Sequence, residues 1–192
     1  MSKFELIEKQ KVSNFSKLNC KVERSTNQIP FKIIYINMSK KKIVYIDLDG
    51  VVVDLMLEVQ RELSLENSLY KLEEELIDAS ETVFLNSQPI PDALEAIAEI
   101  EKHYEVFILS TAPWLNVHAW SQKRLWIEKH LPSMYKRLIL THRKDLLMGD
   151  FLIDDRTNNG AAEFSGEHIH IFHPDSKYPD WKSVLDYLVP KI

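Results

Sequence analysis

The stretch KKIVYIDLDGVVVD, Lys41–Asp54, decides the fold. A short apolar run, Ile43 to Ile46, leads straight into Asp47 and Asp49, with Gly50 directly after and Asp54 closing the segment. An apolar run without polar alternation reads as a strand buried on both faces, the kind found inside a parallel sheet. Carboxylates repel one another and resist burial. A chain that aims two of them off the end of such a strand must offer them a positive partner.

Working outward, further apolar runs follow at VFILS (106–110), RLIL (137–140), FLID (151–154) and IHIF (169–172). Helical patterns lie between them. PDALEAIAEIEKH carries Pro91 near its start, with Leu94, Ile97, Ala98 and Glu101 at helical spacing. NVHAWSQKRLWIEKHL has Asn116 as its N-cap and stops before Pro132, and PDWKSVLDYL closes the chain with Trp181, Val184, Leu185 and Leu188. Strands alternating with helices predict an α/β fold, a Rossmann-like and mostly parallel sheet flanked by helices. Residues 55–90 break the alternation. They are helix-like and free of glycine, with an acidic cluster at Glu73, Glu74 and Glu75. This reads as a small helical cap inserted after the first strand, beside Asp47, where it would serve as a lid or as ordinary packing helices.

In an open α/β sheet, ligands bind at the carboxyl ends of the strands. Asp47 ends the first predicted strand, Ser110 and Thr111 the second, and Asp154 and Asp155 the fourth, with Lys144 shortly before it. Carboxylates gathered there need a cation, and oxygen ligands select a hard one such as Mg2+. Asp47 would face the metal and act as nucleophile, since carboxylates form covalent phosphoryl intermediates. Asp49 would protonate a leaving oxygen and then activate water. Ser110, Thr111 and Lys144 would take phosphate oxygens. Taken alone, DLDG is equally a strand followed by an Asp–Gly turn; four segments in order favour the site.

Together, DLDGVVVD, ILSTAP, Lys144 in THRKDLLMGD and FLIDDRTNNGA resemble the haloacid dehalogenase-like superfamily of phosphatases. The segment from LSTAPW through FLIDDRTNNGAAEFSGEHI is similar to one branch, the 5'(3')-deoxyribonucleotidases and their bacterial relatives. The resemblance is dense from Phe107 to Ile171, weak over the insertion and absent before Met38. It implies Mg2+-dependent removal of phosphate from (deoxy)nucleoside monophosphates. It also implies Asp47 as nucleophile and Asp49 as acid and base. Mg2+ would be held by Asp47, the Asp49 carbonyl and Asp155. Ser110, Thr111 and Lys144 would hold phosphate, with Asp154 in support. Arg156 would orient a carboxylate by ion pairing. The chain also departs from the family. Leu55 stands where animal members place a base-contacting aromatic, and PIPDA carries Asp92 for a glycine. Phe84 and Trp114 are the remaining candidates for a pocket wall, and each reads equally well as a packing residue.

Composition bounds the rest. A chain of 192 residues with 45% hydrophobic content suits one domain with an insertion. No apolar run is long enough to cross a membrane. Cys20 is the only cysteine, so a disulfide framework is excluded; that fits a reducing compartment, and a cytoplasmic location is expected. Residues 1–42 carry ten Lys/Arg against three Glu, leaving the remainder acidic. An acidic body argues against a stable nucleic-acid partner. The basic stretch 1–37 reads as a poorly ordered extension ahead of a phosphatase domain at 38–192, and MSKKK at Met38 echoes MSKFE at Met1 as a second start. His168, His170 and His173 lack an evident further ligand, which speaks against zinc. The expected partner is a small phosphomonoester. A sugar phosphate substrate, or a non-catalytic nucleotide-binding role, stands as the alternative, and a homodimer is left open.

Overall fold

The computed structural model describes residues 41–189. The expectation for the basic segment 1–37 falls outside the described residues. Strand β1 (Ile43–Ile46) lies at the centre of a five-stranded sheet with β4 (Glu105–Ser110), β5 (Leu138–Leu140), β6 (Phe151–Asp154) and β7 (Glu167–His170), in the order β5-β4-β1-β6-β7. Every pairing in this sheet is parallel, with Ile46 opposite Ile108 on one side and Ile153 on the other. The chain moves outward from β1 through β4 to β5, then returns across the centre to β6 and β7. The direction of winding therefore reverses at β1, and the crevice beyond its carboxyl end is the topological switch point where α/β sheets bind ligands.

The buried runs explain the sheet. Val44 and Ile46 are fully enclosed, as are Val106 and Ile108. Alternate residues face opposite sides of a strand. Val44, Ile46, Ile108, Ile153 and Ile169 share a core with α4 (Ala93–His103), α5 (Ala119–His130) and α6 (Trp181–Leu188). The other face carries Tyr45, Leu109 and Leu152, packed on Ala161 and Phe164, with Leu147 alongside. Segments near residues 147 and 161–164 cover that face, and the Tyr45 hydroxyl donates to the Met148 carbonyl at 3.0 Å.

Helix α4 buries Ala93, Ala96, Ile97 and Ile100. Its inward stripe is thus shifted from the expected Leu94, Ile97, Ala98 and Glu101. Asp92, which precedes it, adopts a φ of 65°, in the left-handed region, which aspartate tolerates better than most residues. Helix α6 opens with a capping box, the Asp180 carboxylate accepting from the Ser183 N–H at 2.7 Å and the Ser183 hydroxyl accepting from the Asp180 N–H at 3.3 Å.

The insertion folds into three short helices, α1 (Leu55–Leu63), α2 (Glu73–Ala79) and α3 (Val83–Asn86). They stand on a two-stranded antiparallel ribbon, β2 (Val53–Asp54) with β3 (Gln88–Pro89). Asp54 is not part of the acidic site; it caps α1, accepting from the Leu57 N–H at 3.1 Å. Leu55, Val59, Leu76, Val83 and Phe84 form the cap's own core and continue into Ala112 and Ala119 of the body. Among the described residues, no helix is long and apolar enough to cross a membrane.

Candidate active site

Each parallel strand releases its chain at the same sheet edge. Asp47 follows β1, Ser110 ends β4, and Asp154 ends β6 with Asp155 next. The Asp47 N–H donates to the Ile153 carbonyl at 2.9 Å, which locks the start of the loop against β6. Gly50 then turns the chain with a φ of 80°. A Cβ at Gly50 would lie 2.5 Å from Asp155 Oδ2, so the bare backbone is what lets the two loops meet.

Lys144 enters from a single turn of 3-10 helix, Lys144–Leu146, whose first N–H donates to the Asn159 carbonyl at 2.7 Å. Gly160, with a φ of 82°, passes so close that a Cβ would sit 2.8 Å from the Asp145 nitrogen. The buried Lys144 ammonium donates to Asp47 Oδ1 at 2.7 Å and to Asp154 Oδ2 at 2.5 Å. Asp154 Oδ1 accepts from the Arg156 N–H at 2.9 Å. Both Asp154 oxygens are therefore engaged, whereas Asp155 Oδ1 is enclosed and has no protein partner. The Arg156 guanidinium reaches Asp155 Oδ2 only loosely, at 3.6 Å.

Electrostatics follow from burial. Enclosure pushes the Asp47 carboxyl up to about 7; the Lys144 ammonium works against this, while Asp154 and Asp49 add to it. Burial also raises Asp155, with Arg156 opposing. Lys144 is pulled down by burial, but Asp47 and Asp154 outweigh that and hold it above its ordinary value. Carboxylates at Asp47, Asp49, Asp154 and Asp155 face two ammonium groups, Lys123 and Lys144. The Arg156 guanidinium, 3.6 Å from Asp155, offsets part of this, and the cluster keeps a negative excess that a cation would balance. Asp47, Asp154 and Asp155 offer oxygens within 4.8 Å of one another. An all-oxygen set with one orphaned carboxylate oxygen fits a hard ion such as Mg2+.

Lys123 is the residue that sequence reasoning missed. It lies on α5 with its side chain enclosed, pairs with Asp49 Oδ2 and donates to Ser110 Oγ at 3.0 Å. Its signal was available: it shares the inward face of the helix with Ala119, Trp126 and Ile127, where a lysine has no business without an anionic partner. Thr111 is placed differently from Ser110. Its hydroxyl donates to the Thr141 carbonyl at 2.8 Å, tying β4 to the end of β5.

The three pocket candidates do not form one wall. Leu55 and Phe84 are buried in the cap core, and Phe84 lays its ring against the Lys123 ammonium at 4.9 Å. Trp114 is 81% exposed and meets His142 edge-on at 5.9 Å. An apolar groove of about 610 Å³ between α5 and β5, lined by Trp120, Ile127, Met134 and Leu138, contains none of the carboxylates. His168, His170 and His173 stack in series, and His170 Nε2 bonds the Asp155 carbonyl at 2.9 Å. They buttress the acidic loop from behind.

Several known proteins are similar to this chain. A protein of Vibrio phage KVP40, provisionally named a 5'(3')-deoxyribonucleotidase, is 47% identical over 149 residues, covering 77% of this chain and 85% of that one. The human cytosolic-type 5'(3')-deoxyribonucleotidase is 37% identical over 123 residues, 54% of this chain and 61% of that one. Among solved structures, a haloacid dehalogenase-like hydrolase from Streptococcus pneumoniae superposes with a TM-score of 0.49 at 12% identity, covering 78% of this chain and 99% of that chain. The family described as 5' nucleotidase, deoxy (pyrimidine), cytosolic type C protein matches residues 62–180, a span that begins after Asp47 and Asp49 and includes Ser110, Lys123, Lys144, Asp154 and Asp155. The chain belongs to this 5'(3')-deoxyribonucleotidase family and is a phosphoric monoester hydrolase of the 5'-nucleotidase type.

Proposed function

We propose that the protein is a Mg2+-dependent phosphatase that hydrolyses (deoxy)nucleoside monophosphates through a phosphoryl group carried on Asp47. The observation that carries this reading is the pairing of Asp47 with Lys144 beside the unpartnered Asp155 oxygen. Asp47, Asp155 and the Asp49 main-chain carbonyl would hold Mg2+. Bound there, the ion neutralises the carboxylates and the phosphate oxygens.

The chain's own groups supply the rest. Asp47 is fixed by Lys144 and attacks phosphorus; a bond forms from its carboxylate oxygen as the ester oxygen departs. Asp49 gives that oxygen a proton. In the second half, Asp49 takes a proton from water, the water oxygen attacks phosphorus, and Asp47 is released with inorganic phosphate. Ser110 and the main chain at Thr111 bind phosphate oxygens. Lys144 has a third proton beyond those given to Asp47 and Asp154, and directs it to phosphate. Asp154 holds Lys144 and the Arg156 N–H in place.

The nucleotide assignment is supported by the names of the relatives. A second reading, another small phosphomonoester such as a sugar phosphate, is favoured by one observation: Leu55 and Phe84 are enclosed and present no open face to a base. Phosphate release from a panel of deoxynucleoside, ribonucleoside and sugar monophosphates, with Mg2+ and with chelator, tests the assignment. Turnover is expected to be fastest with nucleoside monophosphates, deoxy forms among them, and to require Mg2+. Turnover confined to sugar phosphates overturns the substrate, and full turnover in excess chelator overturns the metal.

A further inference from the structure

The chemistry above leaves one buried ammonium without a task. Removing an ammonium from water is costly unless its protons find partners, and Lys123 has three to place. One is given to Asp49 Oδ2 and one to Ser110 Oγ. On its remaining flank stands the face of the Phe84 ring, 4.9 Å from Nζ, an attractive arrangement for a desolvated cation. That ring is not loosely hung. The Phe84 and Leu85 N–H groups both donate to Oε1 of Gln122, the neighbour of Lys123, at 3.1 and 3.2 Å.

Donor and acceptor accounting shows what such a lysine does. Ser110 Oγ accepts from Lys123, and among the described residues no protein acceptor takes its own proton. That proton is thereby turned away from Lys123 and kept free for an incoming anion. Asp49 is held through Oδ2 alone, so Oδ1 is the oxygen left to exchange a proton. Without the lysine, the 20%-exposed Asp49 side chain would be free to rotate, and Ser110 would lose the contact that orients its hydroxyl. We propose that Lys123 is the positioning residue of this site, aligning Asp49 for proton transfer and Ser110 for phosphate. The proposal rests on the phosphatase reading given above.

The test uses the full chain and two substrates. One is the alkyl monoester turned over best in the panel, whose leaving oxygen needs a proton. The other is p-nitrophenyl phosphate, whose leaving group does not. Lys123→Met keeps an apolar stem and removes the charge. It should lower the first-turnover rate of leaving-group release by about 100-fold on the alkyl ester, within the range of acid–base catalysis, and by less than about tenfold on the aryl ester; the later hydrolysis of the phosphoenzyme is common to both. Asp49→Asn should show the same split. The Lys123→Met/Asp49→Asn double variant should lose far less than the product of the single losses, because both act on one group. Equal loss on both substrates, or multiplying losses in the double variant, overturns the proposal. Melting curves report whether Lys123→Met folds. If it does not, Phe84→Leu takes its place, leaving the ammonium unshielded while the segment stays apolar. It should slow first-turnover release from the alkyl ester several-fold more than from the aryl ester, and an equal effect overturns the proposal. The two levels separate cleanly. A wild-type protein inactive on both substrates removes the phosphatase reading and this proposal with it, whereas an Asp47→Asn variant that still turns over removes the covalent role of Asp47. An active wild type with an unsplit Lys123→Met removes only the role of Lys123.

Discussion

Asp47 and Asp49 sit one residue apart and have opposite surroundings. Asp47 is buried and tied to Lys144; Asp49 is partly open and tied to Lys123. Environments that differ this way let two carboxylates take different jobs. Asp47→Asn keeps the size and removes the proposed nucleophile, so turnover should fall to background. Asp49→Asn keeps that nucleophile and should slow both proposed proton transfers. With an aryl phosphate, the Asp49 variant should accumulate phosphoenzyme, visible after acid quench as an added phosphoryl mass, and the Asp47 variant should never do so. A label on another residue would remove the covalent assignment. The placement of these residues was legible because each lies in a contiguous motif at a strand end. Lys123 left a weaker signal, its place on the stripe of Ala119, Trp126 and Ile127, and its partners Asp49 and Ser110 are far away in sequence. Thr111 was legible as a neighbour of the site but not as a tether to Thr141, since that bond depends on how β4 and β5 pair.

At the scale of elements, the apolar runs located the sheet strands with small shifts. The last was expected at 169–172 and lies at Glu167–His170. Phe172 adopts a φ of 62°, which ends the extended run. The ribbon β2–β3 left no trace in the sequence, since two residues per strand carry no periodicity. Nor did the sequence show how the cap is held. Asn116, expected as a helix cap, accepts from the His118 and Ala119 N–H groups, and its amide nitrogen also donates to the Ile77 and Ser80 carbonyls at 2.8 and 3.0 Å. Gln122 and Trp126 add bonds to Ser80 and Ser87. The second half of the insertion is thus fastened to the body, and Glu62 ties the first helix to it by accepting from the Ser80 and Thr82 hydroxyls at 3.4 and 3.3 Å. Asn116→Ala leaves several enclosed groups unpaired and should cost at least about 2 kcal/mol. In a domain of this size that lowers the melting temperature by about 4–8 °C; an unchanged melt would show that water replaces the amide. At the other end of α5, His130 stacks on Trp126 at 4.4 Å with its Nε2 enclosed and unpartnered. Burial, helped by Lys129, lowers its pKa below the ordinary 6.5. The unfolded chain then binds a proton that the folded chain refuses, so the stability from this group is full above 6.5 and lost as pH falls below it. His130→Phe keeps the stack and cannot be protonated. The wild type should therefore lose more melting temperature than this variant between about pH 7.5 and 5.5, and parallel losses would clear His130 of the effect.

For the molecule as a whole, the sheet order converts scattered motifs into one edge. The return crossing that carries the chain from β5 back past β1 to β6 is what sets Asp154 and Asp155 beside Asp47. Among the described residues, 41–189, lie all of these side chains and the apolar cores of body and cap. A chain beginning at Met38 should accordingly melt within a few degrees of the full chain and keep its turnover; a large loss of either would assign residues 1–37 a part in the fold. The site's charge leads to a last prediction. Four carboxylates against two ammonium groups leave the folded state with a local negative excess. Unfolding disperses those charges and dissolves the arrangement that would bind an ion. Mg2+ should therefore bind the folded chain and not the unfolded one, and raise the melting temperature by mass action. At a concentration about 100-fold above its dissociation constant, the stabilisation is about 2.7 kcal/mol, or roughly 5–10 °C in a domain of this size. The readout is the melt alone, with no substrate present. Asp155→Asn removes the charge whose Oδ1 is now unpartnered, so its melt should respond to Mg2+ far less. Arg124→Ala, which breaks only the exposed pair with Glu128, should respond as the wild type does. A Mg2+ shift of equal size in all three proteins would place the ion somewhere other than the end of β1.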